Sequence, residues 1–447
     1  MARHLAKYNV PLYLRDKRER KRARRAARIA QASKLSAARS RELFAVFGKE
    51  SRVIQMLAGS TAAPTNNFGG RIRFSLPDVF SIMDSPETAL AALSDLAQRA
   101  RADTLASVFF DFERVHQYDL GANGVLDVLV EEMETQAKRR GRRVHWMGNF
   151  PKDPANMRFI RAMGVIKRLK IRHEYPSKED AGRLALFDVR CRHYIRMLRP
   201  READKKTRVT KEFADHINHC LGFIGRQLTA SARARLCTYV GEVIDNAEEH
   251  SGMHDWAIQG YLDTQLAVPM CEVVIFNFGR TIAQTIEELP DDAYTRKQIR
   301  PYLEMHQKRG FFRRGWRKED LYTLIALQGN VSSKNRSERD TRGNGSVDLI
   351  EFFQRVHAEC SVEEGPPARM AVLSGSTCIV FDGAYRMEES ASGARVIAFN
   401  AFNDLQTKPD AKYVRQLEGV AFPGTLVSLK FPLSTVRNTV VAAEKLP

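Results

Sequence analysis

The sequence predicts a mixed fold, an α/β unit followed by an α+β unit, behind a basic helical tail. Three observations carry this. Residues 71–149 alternate short strand-like and helix-like runs. From residue 210 onward two helical runs give way to apolar strands, a long polar stretch, another helix and more strands. The first fifty residues are rich in Arg and Ala and lack a wide apolar stripe. With 447 residues there is chain for two or three domains. The composition places boundaries at 1–60 for the tail, 61–190 for the first unit, 191–209 for a basic connection ("CRHYIRMLRPREADKKTRV") and 210–437 for the second unit.

The tail holds "RDKRERKRARRAARIAQASKLSAARSRE", which carries much of the net charge of +18. Without Gly or Pro it has strong helix propensity, yet it should become helical only when an anionic partner neutralises it. A nucleic-acid backbone is the expected partner, DNA or RNA, because each neutralised phosphate releases counterions. No apolar run approaches the roughly 20 residues of a membrane span, and the N-terminus has no apolar signal core. Six scattered cysteines without a C-x-x-C pair fit reduced thiols in the cytoplasm.

In the first unit "RIRFSLP" (71–77), "SVFFDFERV" (107–115) and "RVHWMGN" (143–149) read as strands. "SPETALAALSDLAQRARA" (85–102) and "GVLDVLVEEMETQAKRRG" (124–141) read as the helices between them. Alternation of this kind argues a sheet covered by helices. Over residues 70–180 the order resembles a STAS domain, the fold of anti-sigma-factor antagonists. Signalling members carry a phosphorylatable Ser or Thr at the start of the loop helix. Here that run is "YDLGANG", so the resemblance implies a docking module without that switch.

The second unit begins with "EFADHINHCLGFIGRQLTASARARLCTYVGEVIDNAEEHSG", two helices broken near Thr229–Ser231. His216, His219 and Cys220 share one turn but have no fourth ligand at a suitable spacing, and read as packing residues. On the second helix Glu242, Asn246, Glu249 and His250 fall on one side, and Val240, Val243, Ile244 and Ala247 on the other. Carboxylates and a carboxamide are hard oxygen ligands suited to Mg²⁺ and to orienting water. "MCEVVIFNFGRTIAQTIEEL" (270–289) then gives a strand, a short Gly turn and a helix. "LIALQGNVSSKNRSERDTRGNGSVDLIEFFQRV" (324–356) is a polar, basic loop that enters a helix through glycines. Such a helix start can receive phosphate oxygens. "CIVFDGAY", "ARVIAFN" and "GTLVSLKFPL" add strands.

In this order the runs resemble the GHKL ATPase fold, the superfamily of gyrase, heat-shock chaperone, histidine-kinase and mismatch-repair ATPases. "DNAEEHS" with Glu242 looks like its N box, "FNFGRTI" its G1 box and "TRGNGSVDLIEFF" its G2 box. The resemblance implies a C-terminal α/β sandwich that binds ATP and Mg²⁺. Asn246 would hold the metal, and Glu242 would act as the base that activates water. Asn277 replaces the usual adenine-reading Asp, Gly279 keeps the first G1 glycine, and Thr281 stands where a second is common. Gly343 and Gly345 would admit phosphates, Lys334 and Arg342 are cations suited to the γ-phosphate, and Thr425 would bond near the adenine.

Three functions follow from these readings. One is an ATP-binding, ATP-hydrolysing conformational switch that docks on a protein partner or nucleic acid, in bacterial regulation or defence. A second is an anti-sigma-like serine kinase, and a third a scaffold that has lost nucleotide. A histidine kinase is excluded, because His173 in "RHEYPSKED" meets Pro176 where a helical hairpin should run. Residues 328–346 are expected to act as a lid, and self-association is left open. "HQKRGFFRRGWRK" (306–318) is a second candidate basic and aromatic face for nucleic acid.

Overall fold

Alternation in Arg71-Ile72-Arg73-Phe74-Ser75 buries Ile72 and Phe74 and leaves the residues between them in water, which makes this run a one-faced strand. The computed structural model describes residues 50–59, 70–102, 104–165, 182–192, 205–249, 253, 255–313, 316–329, 331, 335, 337, 345–360, 366–390 and 393–433. Side chains at 246, 249 and 313 lie outside that description. The basic tail, His173 and His250 also fall outside it. Among the described residues helices and strands mix throughout, and no helix is long and apolar enough to cross a membrane.

The first layer runs α1 (Arg52–Ala58), β1 (Arg71–Ser75), β2 (Val79–Phe80), α2 (Pro86–Ala100), β3 (Ser107–Asp111), β4 (Gln117–Tyr118), α3 (Leu120–Arg139), β5 (His145–Gly148) and α4 (Pro154–Met163). β1, β3 and β5 pair in parallel, in that order. Parallel pairing needs crossovers, and α2 and α3 supply them.

The start of α3 differs from the sequence reading. It begins at Leu120, not Gly124, because the buried Asp119 carboxylate accepts from Ala122 N at 2.7 Å and caps the helix. Its other oxygen accepts from Ser81 Oγ (2.6 Å) and Met83 N (2.9 Å).

The second layer continues with β6 (Leu184–Cys191), α5 (Lys205–Gly222), α6 (Ala230–Glu249), β7 (Trp256–Asp263), β8 (Met270–Phe278), α7 (Ile282–Glu287), α8 (Tyr294–Lys308), α9 (Lys318–Ile325), α10 (Gly345–Cys360), β9 (Arg369–Gly375), β10 (Thr377–Phe381), β11 (Glu388–Glu389), β12 (Arg395–Val396), β13 (Val414–Gln416) and β14 (Phe422–Pro432). Seven of these strands form one antiparallel sheet in the order β13-β10-β9-β14-β8-β7-β6. All of β6 but Cys191 falls within the 61–190 span of the first unit, yet the strand pairs along its full length with β7.

Both faces of this sheet are covered. Ile258, Ile275, Val427 and Val372 pack beneath α5, α6 and α10. On the opposite face Val274, Phe276, Phe278 and Leu426 share a core with Phe74, Phe110 and the α3 residues Val125 and Leu129. α3 therefore lies between the two sheets. Gly124 permits the approach, since a Cβ there would stand 2.9 Å from Gln259 Oε1 and from Phe276 Cε1. Leu120 N donates to Glu272 Oε2 (3.0 Å), and Glu272 in turn pairs with Lys430 on the adjacent strand (2.7 Å). That carboxylate raises the Lys430 pKa against the effect of burial. Further along α3, Arg190 of β6 reaches Glu131 (2.6 Å) and Glu132 (3.0 Å).

Candidate functional site

The antiparallel register brings four polar or aromatic residues into one row at one end of the large sheet. Trp256 stands opposite Asn277, Asn277 opposite Thr425, and Thr425 opposite Ser374. Period two puts all four on the face that α5, α6 and α10 cover, in step with Ile258, Ile275, Val427 and Val372. Asn277 is buried and Thr425 half-buried. Ser374 Oγ donates to Gly424 O (2.9 Å), lies 3.1 Å from Thr425 Oγ1 and accepts from Ile282 N (2.9 Å). The row thus reaches the start of α7, where Thr281 and Gln284 form a reciprocal capping box. The Thr281 hydroxyl, at the place of a second G1 glycine, is engaged in capping.

Two glycines shape this end. Gly279 (φ 133°) turns the chain out of β8 and donates to Pro423 O at 3.1 Å. Gly424 (φ 145°) lies against Asn277, where a Cβ would stand 2.0 Å from the Asn277 carbonyl oxygen. Both conformations are open to glycine and closed to side-chain-bearing residues.

On the acidic helix the candidate side chains described are Glu242 and the apolar side, with Val243 half-buried; those of 246, 249 and 250 lie outside the described residues. Val240, Ile244 and Ala247 of α6 are buried and Glu242 is exposed. Asn246 lies one turn further along α6. Gly345 opens α10 against this face, so that a Cβ on it would meet Glu242 Cβ at 2.9 Å and Cγ at 3.0 Å. Two residues singled out separately in the sequence, about a hundred positions apart, are in contact.

Asp348, in the first turn of α10, was not among the candidates. Burial raises its pKa first, and the charges of Glu351 and Glu242 add to this against Arg235. Its spacing from Gly345 puts it on the helix turn that faces Glu242, a signal available in "GNGSVD" only once that helix is paired with α6. Trp256 and Ser374 were missed for the same reason. Their relevance lies in strand register. Lys334, Arg342 and Gly343 lie outside the described residues, as does most of the 328–346 stretch.

Among the described residues no group of three or more His, Cys, Asp or Glu is placed to hold an ion. Exposed Glu242 lies next to the N-terminus of α10.

In the 306–318 run the large ring and the imidazole turn inward. Trp316 and His306 are buried, with Phe311 and Phe312 packed around the imidazole at 5.3 and 6.1 Å. Trp316 belongs to the core and is closed to a base, while Phe311 and Phe312 are half-buried against it. His306 Nε2 donates to Leu405 O (2.8 Å), while Nδ1 has no hydrogen-bond partner among the described residues. Burial, with the Arg309 charge, holds its pKa below the usual 6.5. The unfolded chain therefore binds this proton more readily, and stability should fall as pH drops below 6.5. Melting at pH 7.5 and 5.5 should show a smaller acid loss in His306→Gln than in the wild type. Equal losses would remove His306 as the cause.

No family model, curated protein or solved structure matches the chain.

Proposed function

We propose that residues 210–437 form an ATP- and Mg²⁺-binding conformational switch of the GHKL type. The observation that carries this reading is the contact of Gly345 with Glu242, on the same sheet face as the Asn277–Thr425 pair. A nucleotide would bring the phosphate charge and metal that order such a site. Asn246 would ligate the metal, and Glu242, one turn earlier and exposed, would accept a proton from attacking water. The Asn277 side-chain oxygen and the Thr425 hydroxyl would bond the base, without the charge an Asp brings. Gly279, Gly343 and Gly345 would leave room for the ligand, and Lys334 and Arg342 would meet the terminal phosphate.

Calorimetric titration with ATP and Mg²⁺ tests the reading. Wild type should bind, and Asn246→Ala should weaken binding at least tenfold. Glu242→Ala should bind and lose turnover. No heat from the wild type at millimolar nucleotide would leave the scaffold reading, which the engaged Thr281 hydroxyl and the uncharged Asn277 favour.

A further inference from the structure

We propose that Phe402, with the cations at the C-terminal end of α8, forms a binding face for single-stranded nucleic acid. This face is independent of the nucleotide reading. Phe402 is 79% exposed, far more than Met147 (48%), Phe223 (40%) or Phe150 (39%).

The loop that carries it is rigidly built. Asn400 Nδ2 donates to the carbonyls of Ala398, Asp404 and Thr407, and its Oδ1 accepts from Phe402 N and Asp404 N. Asn403 bridges Ala398 N (2.8 Å) and Val396 O (3.1 Å). Phe399 (φ 54°) and Asn403 (φ 45°) adopt left-handed backbone, a strained state for a bulky residue such as Phe399. The Phe399 ring is held inside by Phe381 (5.1 Å) and Tyr385 (5.8 Å). Strain and two side-chain amides, that of Asn400 buried, here hold one ring in water, which gives the fold no stability.

The loop is also hooked to the basic end of α8. Leu405 O accepts from His306, and Gln406 O accepts from Arg309 Nη1 at 2.9 Å. Lys308 and Arg309 are exposed there, and exposed Lys412 lies just beyond the loop. Two carboxylates nearby are tied to backbone: Asp404 accepts from Gln406 N and Asp410 from Lys412 N.

A fixed, exposed ring on a loop hydrogen-bonded to a basic helix end matches an unstacked base with its phosphate, and a duplex hides its base faces. A bilayer would need more apolar tip than Phe402 between Ala401 and Asn403 provides. The aromatic partner of the basic run 306–318 is thus Phe402, brought in from a loop nearly ninety residues on, in place of the buried Trp316.

Anisotropy of a fluorescein-labelled oligothymidylate, titrated with the full chain, tests the face. Phe402→Ala should weaken binding about five- to a hundredfold, the range for losing one stacked base. Its log–log salt slope should not change, because no charge is removed. Phe402→Trp should bind at least as well as the wild type. Lys308→Gln should make the salt slope shallower by about 0.7, one phosphate contact on a single strand. Affinity for a duplex should be the same in Phe402→Ala and wild type. Equal single-strand affinity in Phe402→Ala and wild type would overturn the proposal, as would no binding by the wild type at low salt. Loss of binding to phosphatidylserine vesicles, with oligonucleotide binding intact, would assign the ring to a membrane and overturn it as well.

Discussion

Gly424→Ala is expected to destabilise the protein by about 3 kcal/mol or more and to open the sheet at the candidate site. Strain from a forbidden backbone region alone accounts for about 1–3 kcal/mol, and here a steric term adds to it. The new Cβ would stand 2.0 Å from Asn277 O, 2.9 Å from Asn277 C and 3.0 Å from Phe278 Cα. All three are backbone atoms of the interior strand β8, so no rotamer change relieves the clash. The register of β14 against β9 already shifts between Phe422 and Thr425, and Gly424 lies inside that irregularity. Urea unfolding measures the loss. Gly419→Ala is the control, with φ 70° and nothing within 4 Å of its Cβ, so it should lose only about 1–2 kcal/mol. Equal losses in the two variants would show that the contact with Asn277 carries no weight.

Arg190→Ala should be comparably severe, at about 3–5 kcal/mol, because it strands carboxylates between the layers. The Arg190 side chain is 9% exposed and Glu132 8% exposed. Glu132 also accepts from Ser51 Oγ (2.9 Å), while Arg192 pairs with Glu131 and lies 3.8 Å from Glu132. Arg192 softens the loss without replacing two short, charge-assisted bonds. Adding Glu132→Gln to Arg190→Ala removes the orphaned charge and should recover part of the stability. If Arg190→Ala melts within a degree of wild type, water reaches the cluster and the burial argument fails.

Local rules made most elements legible. Strand runs at 71–77, 107–115 and 143–149, the break between α5 and α6, and the buried side of α6 all follow from period and capping. What stayed hidden depends on chain far away. "GANG" reads as a loop because two glycines usually mark one, whereas Gly124 exists to let a helix touch Gln259 and Phe276. β6 has no hairpin partner nearby, since β7 lies beyond two helices. Aromatics and arginines in 306–318 advertise a surface by composition, and only the fold reveals that Trp316 turns inward beside the buried His306. For the candidate site, residue types were readable along the chain. Their meeting, Gly345 on Glu242 and Ser374 beside Thr425, required the topology.

Helix α3 has a consequence for how the chain can be divided. It is walled on both sides, so neither sheet owns a complete interior. A cut at the basic connection would send the C-terminal piece into water without β6 and with Phe276, Phe278 and Leu426 bare. The N-terminal piece would keep a helix with one side stripped. Such fragments would aggregate before any ligand could be assayed. The two layers should therefore melt as one cooperative body, and whatever steadies the Asn277–Thr425 end should be felt in the three-stranded layer too.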